Sequence, residues 1–427
     1  MNHKIGNLFK GDKVIWMVFF MLCMISIVEV FSASSGLTYK NNNFFLPIMK
    51  HSMTIIGGLV AAMVMVYIPC RFFKLLTPVL ILVSFFTLLW VLFAGETING
   101  ANRVIEIAGQ TFQPSEIAKG TMVLAAAQIL SAMQTERGTT DKKAMRFILF
   151  LLLPFAALIG KENLSTAALL CIVIFLMMLI GRVPMVQLGK LLGVVLVLIS
   201  VAVGSIMLLG DDERDANPNL TKTEVLKKID GEEVKSKPGR LQRLGTWKAR
   251  IRKFLDDKQV DPKDYDLDKD AQVAHANIAI VSSNVIGKGP GNSVERDFLA
   301  QAFSDFIFAI VIEEMGIVGA TVVVFLYIIL LFRTARIANR CENNFPAFLA
   351  MGLALLLVVQ AVFNMMVAVG LAPVTGQPLP LISKGGTSTI INGAYIGIIL
   401  SISRSAKRKV KTAELGNNGL AAAAEAV

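Results

Sequence analysis

The stretch FSDFIFAIVIEEMG, residues 303–316, opens an apolar run that continues to residue 332. That run exceeds the roughly 20 helical residues needed to cross a hydrocarbon core of about 30 Å. Asp305 stands at its lip, and Glu313 and Glu314 stand inside it. An acidic side chain near the centre of a membrane helix costs about 2.5–3.5 kcal/mol on insertion scales. Such groups therefore face a cavity or a partner. The stretch sets two problems: what kind of fold holds it, and what the carboxylates do.

Comparable runs recur along the chain, near 14–34, 53–69, 75–95, 115–133, 147–160, 164–181, 188–210, 346–370 and 388–403. Hydrophobic residues make up 54% of the 427, and the mean hydropathy is +0.62. This patterning predicts an all-α polytopic membrane protein of about ten spans and excludes a soluble globular domain. The fifth run is short and holds Pro154, so a tilted, broken or partly inserted span is expected there. The first 33 residues imitate a signal peptide, with Lys4, Lys10 and Lys13, an apolar stretch and then SAS. The apolar stretch is as long as a full span, which predicts a retained first helix.

Lys and Arg in the short loops set the direction. With the N-terminus inside, the inner segments hold 19 such residues and the short outer loops hold 5. Both termini are thus expected in the cytoplasm, and the long segment before span eight outside. The resulting organisation is spans one to seven over 1–210, a large extracytoplasmic loop over 211–304, spans eight to ten over 305–404, and a cytoplasmic tail over 405–427. The net charge of +11 comes from the inner bias, because the large loop balances 17 basic against 17 acidic residues. A nucleic-acid surface is a poor explanation of this charge. The four cysteines, Cys23, Cys70, Cys171 and Cys341, fall in spans or inner loops, and three scattered histidines have no metal-ligand spacing.

Within the large loop, RLQRLGTWKARIRKFL (240–255) suits a helix lying on the outer leaflet. The segment VIGKGPGNSVERDFLAQAFSDF (285–306) has glycines that forbid regular structure and can bring backbone N–H groups close to an anion. It delivers Lys288, Arg296 and Asp297 just ahead of Asp305. Asp305 fits two compatible roles. Partly desolvated by Phe303, Phe306 and Phe308, it suits a general base working near neutral pH; as an aspartate at a helix start it suits a cap. Glu313 and Glu314, two to three turns further in, are expected to pair with a buried cation. In QPSEIAKG (113–120), Pro114 and Ser115 mark a helix start, and Glu116 and Lys119 are spaced to pair on one face. Arg103, in NGANRVIEIAG, can reach the same outer cavity. The segment GLAPVTGQPLPLISKGGTS (370–388) has too many prolines and glycines for a helix. Its Lys384, glycines and Thr387 offer a cation, free N–H groups and a hydroxyl, a set that suits phosphate.

Taken together, NGANRVIEIAG with QPSEIAKG, DFIFAIVIEEMG, and NMMVAVGLAPVTGQPLPLISKGGTS resemble the SEDS (shape, elongation, division and sporulation) family of bacterial membrane proteins over residues 14–404. GNSV ahead of Asp305 and the Arg-rich 240–255 are more similar to its division branch than to its rod-elongation branch. The resemblance implies a peptidoglycan glycosyltransferase of the bacterial inner membrane that polymerises lipid II. It also implies a class B penicillin-binding protein and other division proteins as partners. The family's essential aspartate falls on Asp305, and the acidic residue eight positions earlier falls on Asp297. The chain departs from the family in LAQA (299–302), in Asn163 where the family has aspartate, and in Lys384 where it has tyrosine. Substrate- and pyrophosphate-binding candidates are Lys384, Arg103, Lys119, Lys288 and Asp297, with or without a divalent cation such as Mg or Mn. A lipid II flippase and a non-catalytic division scaffold are the rival readings.

Overall fold

The computed structural model describes residues 9–41, 46–94, 96–98, 101–107, 110–136, 138–209, 267–299 and 302–424. The 240–255 stretch lies outside the described residues. Eleven helices account for most of what is described, in the order α1 (Lys13–Asn41), α2 (Leu46–Tyr67), α3 (Cys70–Ala94), α4 (Pro114–Ala132), α5 (Lys142–Glu162), α6 (Leu164–Ile180), α7 (Met185–Leu209), α8 (Leu267–Val281), α9 (Ile307–Ala338), α10 (Asn344–Ala368) and α11 (Thr387–Ala424). Each of the ten apolar runs is one of these helices; α8 is the additional one. Six of them, α1, α2, α3, α5, α9 and α10, are long and apolar enough to cross a bilayer on that ground alone among the described residues.

The fifth run is a helix of 21 residues that continues through Pro154, about 31 Å at 1.5 Å per residue. Asp141 caps it by accepting from the Lys143 N–H at 2.8 Å. Between α3 and α4 the chain departs from helix. NGANRVIEIAG belongs to a three-stranded antiparallel meander, β1 (Glu96–Ile98), β2 (Ala101–Ile107) and β3 (Gln110–Phe112), in the order β1-β2-β3. Val104, Ile105 and Ile107 explain it, since β-branched side chains suit a pleated strand.

The chain divides into two units. One comprises 1–185, 267–371 and 375–427; the other comprises 186–266 and 372–374, with most of α7 as its described helix. In the first unit α10 and α4 form the centre. Ala350, Leu353, Leu356 and Ala361 of α10, and Ala118, Val123, Ala127 and Leu130 of α4, are almost wholly enclosed. A side chain at Gly352 would run into Val123 and Met177, so α10, α4 and α6 meet closely there. Helices α2 and α11 approach through small residues, Gly58 against Gly393 and Ala62 against Gly397, the packing that serves helices lacking a hydrophobic drive to associate. Helix α1 lies along α9 and is tied to it at one end by Asp12 and Arg333, 2.9 Å apart.

Helix α9 is not continuous. Gly316 has φ 68° and ψ −172°, which breaks it into a short half, 307–315, and a long half, 317–338. The glycine-rich segment ahead of α9 folds into this break. Lys288 N–H donates to the Glu313 carbonyl at 2.9 Å, Gly289 N–H to the Glu314 carbonyl at 2.8 Å, and Val318 N–H to the Val285 carbonyl at 3.3 Å. Gly287, at φ +83°, lies against Gly316 so closely that a Cβ on either would come within 3.0 Å of the other's backbone. Both positions demand glycine, for φ and for space.

Candidate active site around Asp305

Residues 302–306 form a run of turns that leads into the short half of α9. The N-cap is Phe306, so Asp305 stands one residue before it. Asp305 is half-buried, and its Oδ1 accepts from Ser304 Oγ at 3.1 Å. Phe306 and Phe308 are enclosed beside it. Ser304 and Asp305 are held through their backbone. Asn364 Nδ2 on α10 donates to the Asp305 carbonyl at 2.8 Å, and Ser383 Oγ donates to the Ser304 carbonyl at 2.6 Å. Lys384 N–H donates to the Phe303 carbonyl at 2.9 Å.

The segment supplying two of these braces is itself strapped. Asn364 Nδ2 donates to the Gln377 carbonyl at 2.7 Å, Gln360 Nε2 to the Pro378 carbonyl at 3.0 Å, and Gln377 Nε2 to Thr166 Oγ1 at 2.7 Å. The Tyr327 hydroxyl donates to the Pro380 carbonyl. Ser26 Oγ donates to the Ile382 carbonyl at 2.6 Å and is 2.9 Å from His51 Nε2. Because the Ser26 hydrogen is committed, His51 is the donor in that contact. The straps hold Leu381 at φ +67°, a conformation that costs a non-glycine residue energy and persists only where its surroundings impose it.

Lys384 is the candidate cation brought to the turn that holds Asp305. Its ammonium stands 4.8 Å from the centre of the Phe303 ring, two residues before Asp305. Burial, and secondarily the charge of Lys50, holds its pKa below the ordinary lysine value of 10.5. A cation kept at such a cost is primed for an anion. The side chain of Arg103 lies outside the described residues. Lys119 is enclosed and engaged, 2.8 Å from Glu116 Oε1 and 2.8 Å from Gln360 Oε1. Lys288 is engaged as well, at 2.6 Å from Glu313 Oε1 and 2.9 Å from Ser282 Oγ. Asp297 lies in a 3-10 turn with 53% of its side chain exposed.

Glu313 and Glu314, both fully enclosed, are the floor of the glycine-rich clasp. Glu313 takes Lys288, the Val294 N–H at 3.1 Å and Ser293 Oγ at 2.5 Å. Glu314 takes the Gly291 N–H at 3.0 Å, the Ser293 N–H at 3.1 Å, and Ser32 of α1. The loop thus presents its N–H groups to protein carboxylates. Asn163 caps α6 by accepting from the Ser165 and Thr166 N–H groups, which an amide oxygen does as well as a carboxylate. Among the described residues no group of three or more His, Cys, Asp or Glu side chains converges on a metal position.

Sequence reasoning missed the straps Ser26, His51, Tyr327, Gln360, Asn364 and Gln377. Five of these are polar groups in apolar helices, with Gln360 and Asn364 one turn apart on α10, and that placement is the signal that points to them.

The family of cell cycle proteins comprising FtsW, RodA and SpoVE matches residues 12–221 and 234–408. A protein of Geobacter sp. (strain M18), a probable peptidoglycan glycosyltransferase FtsW, is 30% identical over 397 residues, spanning 92% of this chain and 96% of that one. Peptidoglycan glycosyltransferase MrdB of Escherichia coli (strain K12) is 29% identical over 350 residues, spanning 81% of this chain and 82% of its own. Among solved structures, a chain of a peptidoglycan synthase complex superposes with a TM-score of 0.65 at 24% identity, over 93% of this chain and 98% of that one. The rod shape determining protein RodA of Thermus thermophilus superposes with a TM-score of 0.61 at 22% identity, over 94% and 99%. With the family matched over most of its length, this chain is a member of the FtsW/RodA/SpoVE, or SEDS, family of multi-pass membrane proteins, with FtsW as its nearest branch.

Proposed function

We propose that this chain, a peptidoglycan glycosyltransferase of the SEDS family, polymerises lipid II with Asp305 as general base. The acceptor sugar's 4-hydroxyl oxygen attacks the donor anomeric carbon, and the bond from that carbon to the lipid pyrophosphate breaks. Asp305 takes the hydroxyl proton, the pyrophosphate leaves with the bonding electrons, and one displacement inverts the donor linkage. A base contributes about 10²–10⁴-fold. Positioning of the two substrates and stabilisation of the departing anion supply the rest. Lys384 is the cation for that anion, with Arg103 as a second; Lys119 and Lys288 act as structural partners of Glu116 and Glu313. The chain works in the bacterial inner membrane at the septum, beside a class B penicillin-binding protein that crosslinks the new strands.

The observation that carries this reading is the treatment of Asp305. Its backbone is clamped by Asn364 and its neighbours by the 383–384 segment, while Asp305 itself is half-buried and the Lys384 ammonium lies over Phe303 of the same turn. Asp305→Asn keeps the shape and removes the base. Purified with its partner and given lipid II, the variant is expected to melt as the parent does and to polymerise about 10²–10⁴-fold more slowly. Polymerisation at the parental rate would refute the assignment.

A further inference from the structure

At the end of the bundle where α2 turns into α3, the structure holds an apolar groove of about 1140 Å³. It is bounded by Val64 of α2, Leu76 and Val79 of α3, Leu124 of α4, Leu353 of α10 and Ile398 of α11. Its volume exceeds the roughly 300–1,000 Å³ of pockets for drug-sized ligands. The wall is open on one side, since Leu76 and Val79 are exposed. Such a groove on a membrane bundle accepts hydrocarbon chains.

Its rim is not neutral. Tyr67, which lines the groove, carries Lys10 at 4.7 Å and Arg404 at 5.9 Å from its ring centre. Arg404 also donates to the Val66 carbonyl at 3.4 Å. Arg71 and Lys74, on the first two turns of α3, are exposed and form no ion pair among the described residues. The whole segment 46–94 contains neither Asp nor Glu. A cytoplasmic loop collects cations for topogenic reasons alone. Here Lys10 and Arg404 are held by the Tyr67 ring of the groove's wall, Arg71 stands over the lining Phe72 at 5.0 Å, and Lys74 follows on the same helix between the lining residues Phe73 and Leu75.

We propose that this groove holds the acyl chains of an anionic phospholipid from the leaflet at this end, with its phosphate headgroup bound by Lys10, Arg71, Lys74 and Arg404. The charge selects the occupant. A zwitterionic lipid brings a phosphate whose charge its own ammonium offsets, and a neighbouring apolar helix brings none, so a net anionic headgroup matches the four cations best. The site lies apart from Asp305, so it adds a lipid contact to the reaction without taking part in it.

The test uses the full chain purified from a mixture of equal parts phosphatidylglycerol and phosphatidylcholine, with the retained lipid identified by native mass spectrometry. The parent is expected to retain phosphatidylglycerol in preference. Arg71→Gln with Lys74→Gln, both at exposed positions, should reduce that preference about tenfold, each cation near the surface counting for about a factor of five before screening. Arg71→Lys with Lys74→Arg should preserve it. Val79→Trp, which fills the groove, should lower retention of both lipids. Equal retention of the two lipids by the parent, an unchanged preference in the double Gln variant, or a copurifying polypeptide in place of lipid would each overturn the proposal.

Discussion

Replacing Gly316 by alanine should unlock the short helix that carries Asp305. At φ 68° a non-glycine residue costs about 1–2 kcal/mol from backbone sterics alone. The added methyl would also lie within 3.0 Å of the Val285 carbonyl oxygen and the Gly287 nitrogen, both backbone atoms that cannot rotate aside. The 285–289 segment must therefore lift. Three backbone hydrogen bonds go with it, from Lys288, Gly289 and Val318, each with a net contribution of about 0.5–1.5 kcal/mol. The sum is about 3–6 kcal/mol, before Glu313 and Glu314 lose any of their own donors. Against a typical stability of about 5–15 kcal/mol this is a large loss. In detergent, thermal unfolding of Gly316→Ala should fall by several degrees or more, and lipid II polymerisation should fall with it because the Asp305 turn loses its support. Gly319→Ala, in the same helix, is not the right control, since its Cβ would meet Met315; Val322→Ala, on an exposed face of α9, is. A Gly316→Ala protein with the parental melting point and rate would show that the break and the clasp do not hold the site.

Two further outcomes follow from the straps and from Lys384. Ser26→Ala strands the buried Ile382 carbonyl and the His51 N–H, which should cost about 1–3 kcal/mol in thermal stability and slow polymerisation; His51→Gln, which keeps a donor, should be milder in both measurements. Lys384, whose pKa is held below 10.5 by burial and Lys50, penalises the folded state while it is charged. That penalty is fully present below its folded pKa and is relieved as pH rises toward 10.5. Binding of an anionic donor reverses the shift, so affinity for a pyrophosphate lipid should weaken on the alkaline side at a lower pH than an ordinary lysine would give. In Lys384→Met that alkaline loss should vanish and affinity should be low throughout, as read from a binding titration across pH.

The helices were legible because ten of the eleven are apolar runs, six of them long and apolar enough to cross a bilayer among the described residues, α5 included once Pro154 proved compatible with a continuous helix. The meander at 96–112 was not, because β-branched and polar residues between two spans look like any connecting loop until their pairing is known. Asp305 and Lys384 could be singled out by residue type at the edge of apolar runs. Their neighbourhood could not, because it depends on contacts across 59 positions from Asp305 to Asn364 and 356 from Ser26 to Ile382. The same limit applied to Lys288. The i,i+3 spacing already offered Glu116 to Lys119, but that Glu313 takes Lys288, 25 residues away, appears only in the fold.

The three carboxylates of FSDFIFAIVIEEMG therefore divide their labour by depth. Glu313 and Glu314 sit where water cannot satisfy them, so a segment of irregular backbone must come to them, and it brings N–H groups, hydroxyls and one lysine. Irregular backbone at such a level is tolerated only when protein surrounds it, and the carboxylates supply the acceptors that make this possible. The exchange fixes the break at Gly316 and with it the short helix above. Asp305 stands just ahead of that helix, in a turn fixed by backbone bonds from Asn364 and Ser383. The turn's shape is thus set by main-chain bonds, so Asp305→Asn should leave the fold intact and test the proposed base by itself.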